Sequence, residues 1–349
     1  NFSAKPRMRL LNNMQVSSVL QDNEGAYWFS TLNHGVFYCS NINFVTYKKE
    51  DGLHDDVISA ICHSNDAVYV GYKFGFVDKL RDDSVIHFST PTEKYLNFSI
   101  RSLSFDSSSN TVSVSSIDNL YWIKKNQVFH LGSTPSRHTV FPKVVVKSKY
   151  GGYWIGSTDG LVKFDGVKVT YESSLNNDFT GVVYDLVEDC KGTIWFCTLA
   201  GLWKYSKGNF QYLGADNLLL SQAGSSLLFN PIDSSLWMGT NGGGIVVMDN
   251  RMTYQITKAG GLISNSIHQL YCSDSNVWVA TRQGLSKILI KKEGLTIQNF
   301  TNANGLPTNE VLSVCEFKGK VYVGTSRGLT VFEMDKIVDN DNVPNIIIT

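Results

Sequence analysis

Side-chain catalysis needs a nucleophile beside a base, and a bound metal needs several donors at ligand spacing. The seven histidines are His34, His54, His63, His87, His130, His138 and His268. They contain no His-Glu-x-x-His pair, and no serine sits in Gly-x-Ser-x-Gly, so neither a zinc hydrolase nor a serine nucleophile is indicated. His87 and His130 fall in strand-like runs and read as edge residues. Gly242-Gly243-Gly244 lacks the Lys-Ser/Thr and helix of a phosphate loop and reads as a tight turn. Each Asp-x-x-Gly turn offers one carboxylate, far short of a calcium shell. No catalytic residue, metal site or cofactor is therefore expected. What remains is a set of polar residues in loops at like positions of six copies: His34, Lys73, Asp159, Asn241, Arg282 and Arg327. Arginine offers a rigid fork of donors that suits carboxylates, and lysine a mobile point charge. With the amide, acid and imidazole, the set suits a hydroxyl-rich or acidic glycan fragment.

These residues recur because the chain is a repeat. An aromatic, an apolar residue, a small residue and usually Thr or Ser return about every 42 residues. The copies are Trp28-Phe29-Ser30-Thr31, Tyr69-Val70-Gly71-Tyr72, Trp154-Ile155-Gly156-Ser157, Trp195-Phe196-Cys197-Thr198, Trp237-Met238-Gly239-Thr240, Trp278-Val279-Ala280-Thr281 and Tyr322-Val323-Gly324-Thr325. A degenerate copy, Val112-Ser113-Val114-Ser115, fills the one gap. Around this segment, which is strand b, each copy has an alternating run before it (a), a Gly-Leu-like pair opening the next strand (c), and a further run (d). For the first copy the d run is Phe44-Val45-Thr46-Tyr47. Four short antiparallel strands per copy predict an all-β fold, a single β-propeller of four-stranded blades. Eight copies predict an eight-bladed ring, with seven blades as the alternative.

Composition agrees. Charged residues are 18% of the 349-residue chain, apolar residues 42%, and aromatics 12%. Such a chain can bury a large core and is neither disordered nor built of charged helices. The formal net charge is zero and the basic runs are short, which argues against a nucleic-acid partner. No apolar run is long enough to cross a bilayer, so no membrane contact by this segment is expected. The six cysteines form no Cys-x-x-Cys pair and read as small hydrophobes. The propeller is assigned to residues 16–336. Residues 1–15, through the stretch 5–11, are expected to supply the strand that closes the ring, and residues 337–349 a linker into a following domain.

The pattern Asp-x-x-Gly-x-x-Trp-x-x-Thr-x-x-Gly-Leu, clearest from Asp189 to Leu202 and from Asp22 to Val36, resembles the two-component regulator propeller repeat. The resemblance spans residues 16–334; Val112, Tyr69 and Tyr322 depart from it. The tail 343–349 resembles the first strand of the β-sandwich that follows this propeller in the family. The resemblance implies a non-enzymatic extracytoplasmic sensing region of a bacterial membrane-bound two-component protein. It further implies a periplasmic domain of an inner-membrane protein, a histidine kinase elsewhere in the full-length protein, and possible homodimerisation. The ligand implied is a small molecule or oligosaccharide. Two alternatives stay open: a dimerisation or signal-relay scaffold with no ligand of its own, and a propeller lyase or hydrolase acting on a sugar.

Overall fold

The computed structural model describes residues 14–337, apart from 24, 40, 83, 90–98, 118, 131–140, 175, 177, 274–275 and 292–293. Eight antiparallel sheets are present, one for each copy of the repeat. The first has three strands, β1 (Val16–Gln21), β2 (Tyr27–Thr31) and β3 (Val36–Cys39). The next strand, β4 (Val45–Tyr47), leaves that sheet.

Seven four-stranded blades follow. Blade one is β5 (Ile58–His63), β6 (Val68–Tyr72), β7 (Phe76–Arg81) and β8 (Ser84–Ser89). Blade two is β9 (Ser102–Asp106), β10 (Thr111–Ser115), β11 (Leu120–Lys124) and β12 (Gln127–His130). Blade three is β13 (Pro142–Lys147), β14 (Tyr153–Ser157), β15 (Leu161–Phe164) and β16 (Val169–Glu172). Blade four is β17 (Asp185–Glu188), β18 (Ile194–Thr198), β19 (Gly201–Ser206) and β20 (Asn209–Tyr212). Blade five is β21 (Gly224–Asn230), β22 (Ser235–Thr240), β23 (Ile245–Met248) and β24 (Thr253–Ile256). Blade six is β25 (Ile267–Ser273), β26 (Asn276–Thr281), β27 (Gly284–Lys291) and β28 (Gly294–Phe300). Blade seven is β29 (Val311–Phe317), β30 (Lys320–Thr325), β31 (Gly328–Glu333) and β4.

The inner strands β5, β9, β13, β17, β21, β25 and β29 touch in that order, and β29 returns to β5. The cycle closes through seven of the eight sheets. Two side-chain columns make it close. The small residue of strand b faces a branched residue of the next blade. A Cβ on Gly71, Gly156, Gly239 or Gly324 would lie 2.6–2.7 Å from Ile100, Val183, Ile267 or Ile58, respectively. Where strand b carries Cys197 instead, the next blade answers with Gly224, where a Cβ would collide with that cysteine. The second column is polar. Asp185 Oδ2, Ser226 Oγ, Gln269 Oε1 and Ser313 Oγ accept the backbone N–H of Leu227, Leu270, Val314 and Ile61, at 2.7, 3.1, 2.8 and 2.9 Å. The last bond ties blade seven to blade one.

Ring closure differs from the expectation in two respects: of the eight sheets, one for each copy, seven form the closed cycle while the first stands outside it, and the closing strand is a different one. Residues 5–11, proposed as the closing strand, lie outside the described residues, as does the sandwich-like tail 343–349. The place beside β31 belongs to β4, in the register Leu329↔Tyr47, Thr330↔Thr46 and Val331↔Val45. The repeat pattern assigns Val45–Tyr47 to the first copy; the chain spends it on the last. Closing a ring with a strand from the other end of the sequence ties the ends together and removes an open edge.

Within each blade the repeat residues have local duties. In blades three to seven the threonine or serine ending strand b donates to the carbonyl of the glycine that opens strand c and accepts an N–H within the turn. Thr281 and Thr325 do this toward Gly284 and Gly328, at 2.7 and 2.9 Å. Those glycines have φ of 143° and 126°, and a Cβ on either would strike the backbone of the strand d beside it. The Asp-x-x-Gly turn holds the column tryptophan. Asp189 Oδ1 accepts the N–H of Lys191 and Thr193, while Oδ2 accepts the Trp195 indole N–H at 3.0 Å.

Candidate functional site

The b–c turns and the d–a loops lie at the same ends of their strands. The d–a loops that follow β4, β24 and β28 share one construction, a single 3₁₀ turn ended by Gly52, Gly261 or Gly305. A buried leucine comes next, Leu53, Leu262 or Leu306. Asp56, Asn265 and Asn309 then reach back, each accepting the N–H that opens the turn, from Lys49, Lys258 and Asn302 at 2.6–2.7 Å. These three polar residues hold loops in shape.

The b–c turns leave other side chains free to act. Arg282, Arg327 and Lys73 are exposed, on blades six, seven and one. Those blades are consecutive in the closed cycle, and Asn241 adds the turn of blade five. Arg282 Nε donates to His268 Nε2 at 3.1 Å, and His268 Nδ1 donates to the carbonyl of Val311 at 2.8 Å. His268 thus braces the Arg282 side chain against blade seven. Sequence reasoning passed over His268, although it lies one residue into the inner strand, where a side chain faces the ring's interior or the next blade. Among the described residues no carboxylate pairs with Arg282, Arg327 or Lys73. Asn241 Oδ1 is engaged by Ser266 Oγ at 3.2 Å.

The remaining expected residues fall elsewhere. Asp159 is exposed on blade three, two blades from Lys73. His34 is exposed on the three-stranded sheet, outside the cycle, so it does not share the arc with the cations.

Blade one departs from the common turn. Tyr72 stands where other blades carry Thr or Ser, and its hydroxyl donates to Asp78 Oδ2 at 2.6 Å. Asp78 is fully buried and also accepts the His54 backbone N–H at 2.9 Å and His87 Nδ1 at 2.6 Å. The His54 ring stacks on Phe76 with centroids 3.5 Å apart. Burial pushes the His54 pKa below the usual imidazole value, against the pull of Asp78. Burial and the adjacent Asp78 both push the Tyr72 phenol far up.

Comparison with known proteins supports the architecture. No family model and no curated protein matches the chain. Among solved structures it is similar to the extracellular domain assigned to the hybrid two component system BT3049 of B. thetaiotaomicron. The TM-score is 0.78 at 19% identity, covering 96% of this chain and 47% of that one. It is also similar to the extracellular domain assigned to the hybrid two component system BT4673 of the same organism, with TM-score 0.71, 17% identity and coverage of 98% and 49%. The chain spans about half the length of these two. A third likeness, to virginiamycin B lyase from Staphylococcus aureus, has TM-score 0.63 and 10% identity over 83% of this chain and 97% of that one. At these identities the likeness establishes the propeller fold alone. No helix among the described residues is long and apolar enough to cross a membrane.

Proposed function

We propose that this chain is a non-enzymatic, extracytoplasmic ligand-sensing propeller of the two-component regulator propeller repeat family. In this reading it forms the periplasmic part of an inner-membrane signalling protein that carries a histidine kinase. Its ligand is an acidic carbohydrate fragment, bound over the b–c turns of blades five, six, seven and one. The observation that carries the reading is the run of three exposed cations, Arg282, Arg327 and Lys73, on consecutive blades. Neighbouring cations repel, so the run stores a potential that a carboxylate-bearing ligand relieves. The extended repeat and the likeness to extracellular domains of Bacteroides signalling proteins support the compartment and the role.

A thermal-shift screen against uronate-containing and neutral oligosaccharides tests it. A ligand present at 100 times its Kd stabilises by roughly 2.7 kcal/mol. The Arg282→Ala/Arg327→Ala double variant is expected to melt as the parent does and to lose the shift. Unchanged affinity in that variant moves the site off this arc.

A second reading, a dimerisation or relay scaffold, draws on the first sheet. Val16, Val19, Leu20, Trp28, Leu32, Val36 and Tyr38 are all exposed there. Sedimentation of the chain over a range of concentrations separates the two, since a dimer seated on this sheet dissociates on Leu20→Asp.

A further inference from the structure

We propose that His54, Asp78 and His87 of blade one form a site for a divalent transition metal of the zinc or cobalt class. One ligand atom from each lies within 4.8 Å of the other two. Two imidazoles and one carboxylate suit a borderline cation and leave out the six or more oxygens that calcium requires.

The comparison with blades six and seven shows that these side chains exceed what the fold needs. Pairing across strands c and d sets Asp78 opposite His87, Ser286 opposite Asn299, and Thr330 opposite Thr46. In blade six, Ser286 Oγ accepts the Ile263 N–H at 3.3 Å and donates to Asn299 at 2.6 Å. That is the same brace that Asp78 gives the His54 N–H. A hydroxyl and an amide are therefore enough to hold the loop, and the residue at the place of His54 can be Ile263 or Pro307. Blade one instead installs a buried carboxylate and two imidazoles, at the same end of the blade as Lys73.

Metal binding needs both rings to move: the His54 nitrogen, within 4.8 Å of the other donors, closes in by up to about 1.5 Å, and His87 draws back. Tyr72 and the His54 backbone anchor one oxygen of Asp78, while the other faces His87 Nδ1 at 2.6 Å. Ligand atoms around a tetrahedral zinc stand about 3.3 Å apart, given bonds of about 2.0–2.1 Å. His87 must give up its Nδ1 proton and withdraw by under about 1 Å, and its side chain is half exposed and able to do so. Lys49 and Asp55 are the other charged groups acting on His54, and they oppose each other.

Tag-free protein titrated with Co2+, read by visible absorbance and followed by displacement with Zn2+, tests the site. The parent is expected to bind one equivalent with the absorbance of a four- or five-coordinate ion. The variants His54→Ile and His87→Asn copy the side chains of blade six, so they keep the brace and lose the donors. Each is expected to bind at least about tenfold more weakly, with melting unchanged in chelator, while His268→Ala binds as the parent does. Absence of saturable Co2+ binding by the parent, or binding by both variants at parental strength, overturns the proposal.

Discussion

Trp28 and Trp278 stand at the same step of the repeat, yet Trp278 is fully buried and Trp28 is 41% exposed. The local designs match closely. Asp22 Oδ2 accepts the Trp28 indole N–H at 2.8 Å, as Asp189 does for Trp195. Thr31 bonds the Gly35 carbonyl at 2.8 Å, as Thr281 does that of Gly284. The difference lies beyond the sheet. A Cβ on Gly284 or Gly328 would strike the backbone of a neighbouring strand, whereas one on Gly35 would meet nothing within 4 Å, because β4 has gone to blade seven. Ser18 holds the place that Asp185, Ser226, Gln269 and Ser313 occupy in the ring, and it is exposed. Local sequence thus builds the sheet, and a neighbouring blade supplies the burial.

The largest expected effect separates the two regions by truncation. Removing residues 1–40 takes away the first sheet and leaves β4, so the ring should keep its cooperative unfolding. Removing residues 1–47 also takes β4 and strips blade seven of its outer strand. That loss should consume most of the ~5–15 kcal/mol typical of a folded domain. Calorimetry on both truncations decides; equal stability would mean that β4 contributes nothing to closure.

Next in size is a pair of truncated aromatics. Trp237, 1% exposed between blades five and six, should cost about 3–5 kcal/mol on Trp237→Ala. The same change at Trp28 should cost under about 1 kcal/mol. Urea unfolding of both variants measures the gap, and a similar loss at Trp28 would show that the first sheet is packed after all.

A smaller effect is pH dependence at the blade four to blade five junction. Burial pushes the Asp185 carboxyl up to about 6, against the hydrogen bonds it accepts from Leu227, Leu186 and Ser226. Because the folded value lies above the unfolded one, its stabilising share is full below about pH 4 and is lost as pH rises through about 6. The share is on the order of 3 kcal/mol. Denaturation at acidic and neutral pH should show this slope in the parent and a flatter one in Asp185→Asn. No such difference is expected of Ser18→Asn.

Most of the architecture was legible because each repeat residue does a local job. The tryptophan column, the threonine that ties the turn and the positive-φ glycine each follow from chemistry within one blade. The closing strand was not legible. Val45-Thr46-Tyr47 alternates like any strand d, and its partner is chosen by which blade end it reaches, not by its own residues. The arc was partly legible: the loop positions of Arg282, Arg327 and Lys73 followed from the repeat, while the exclusion of His34 depended on where the ring closes. The His54, Asp78 and His87 cluster had a faint signal, polar residues facing each other across strands c and d. No linear ligand spacing marks it, since cross-strand pairing sets the separation.

The position of β4 carries the whole account, because it completes blade seven next to blade one and so sets Arg327 and Lys73 on adjacent blades. Thr46 Oγ1 and Thr330 Oγ1 lie 2.9 Å apart across the β4–β31 pair. A Thr46→Cys/Thr330→Cys double variant, mildly oxidised and mapped by mass spectrometry, tests that contact directly. Directly opposed residues suit a disulfide, so quantitative bridging of 46 to 330 with a raised melting temperature is predicted. Failure of these two positions to bridge in the folded protein would contradict closure by β4 and with it the arc.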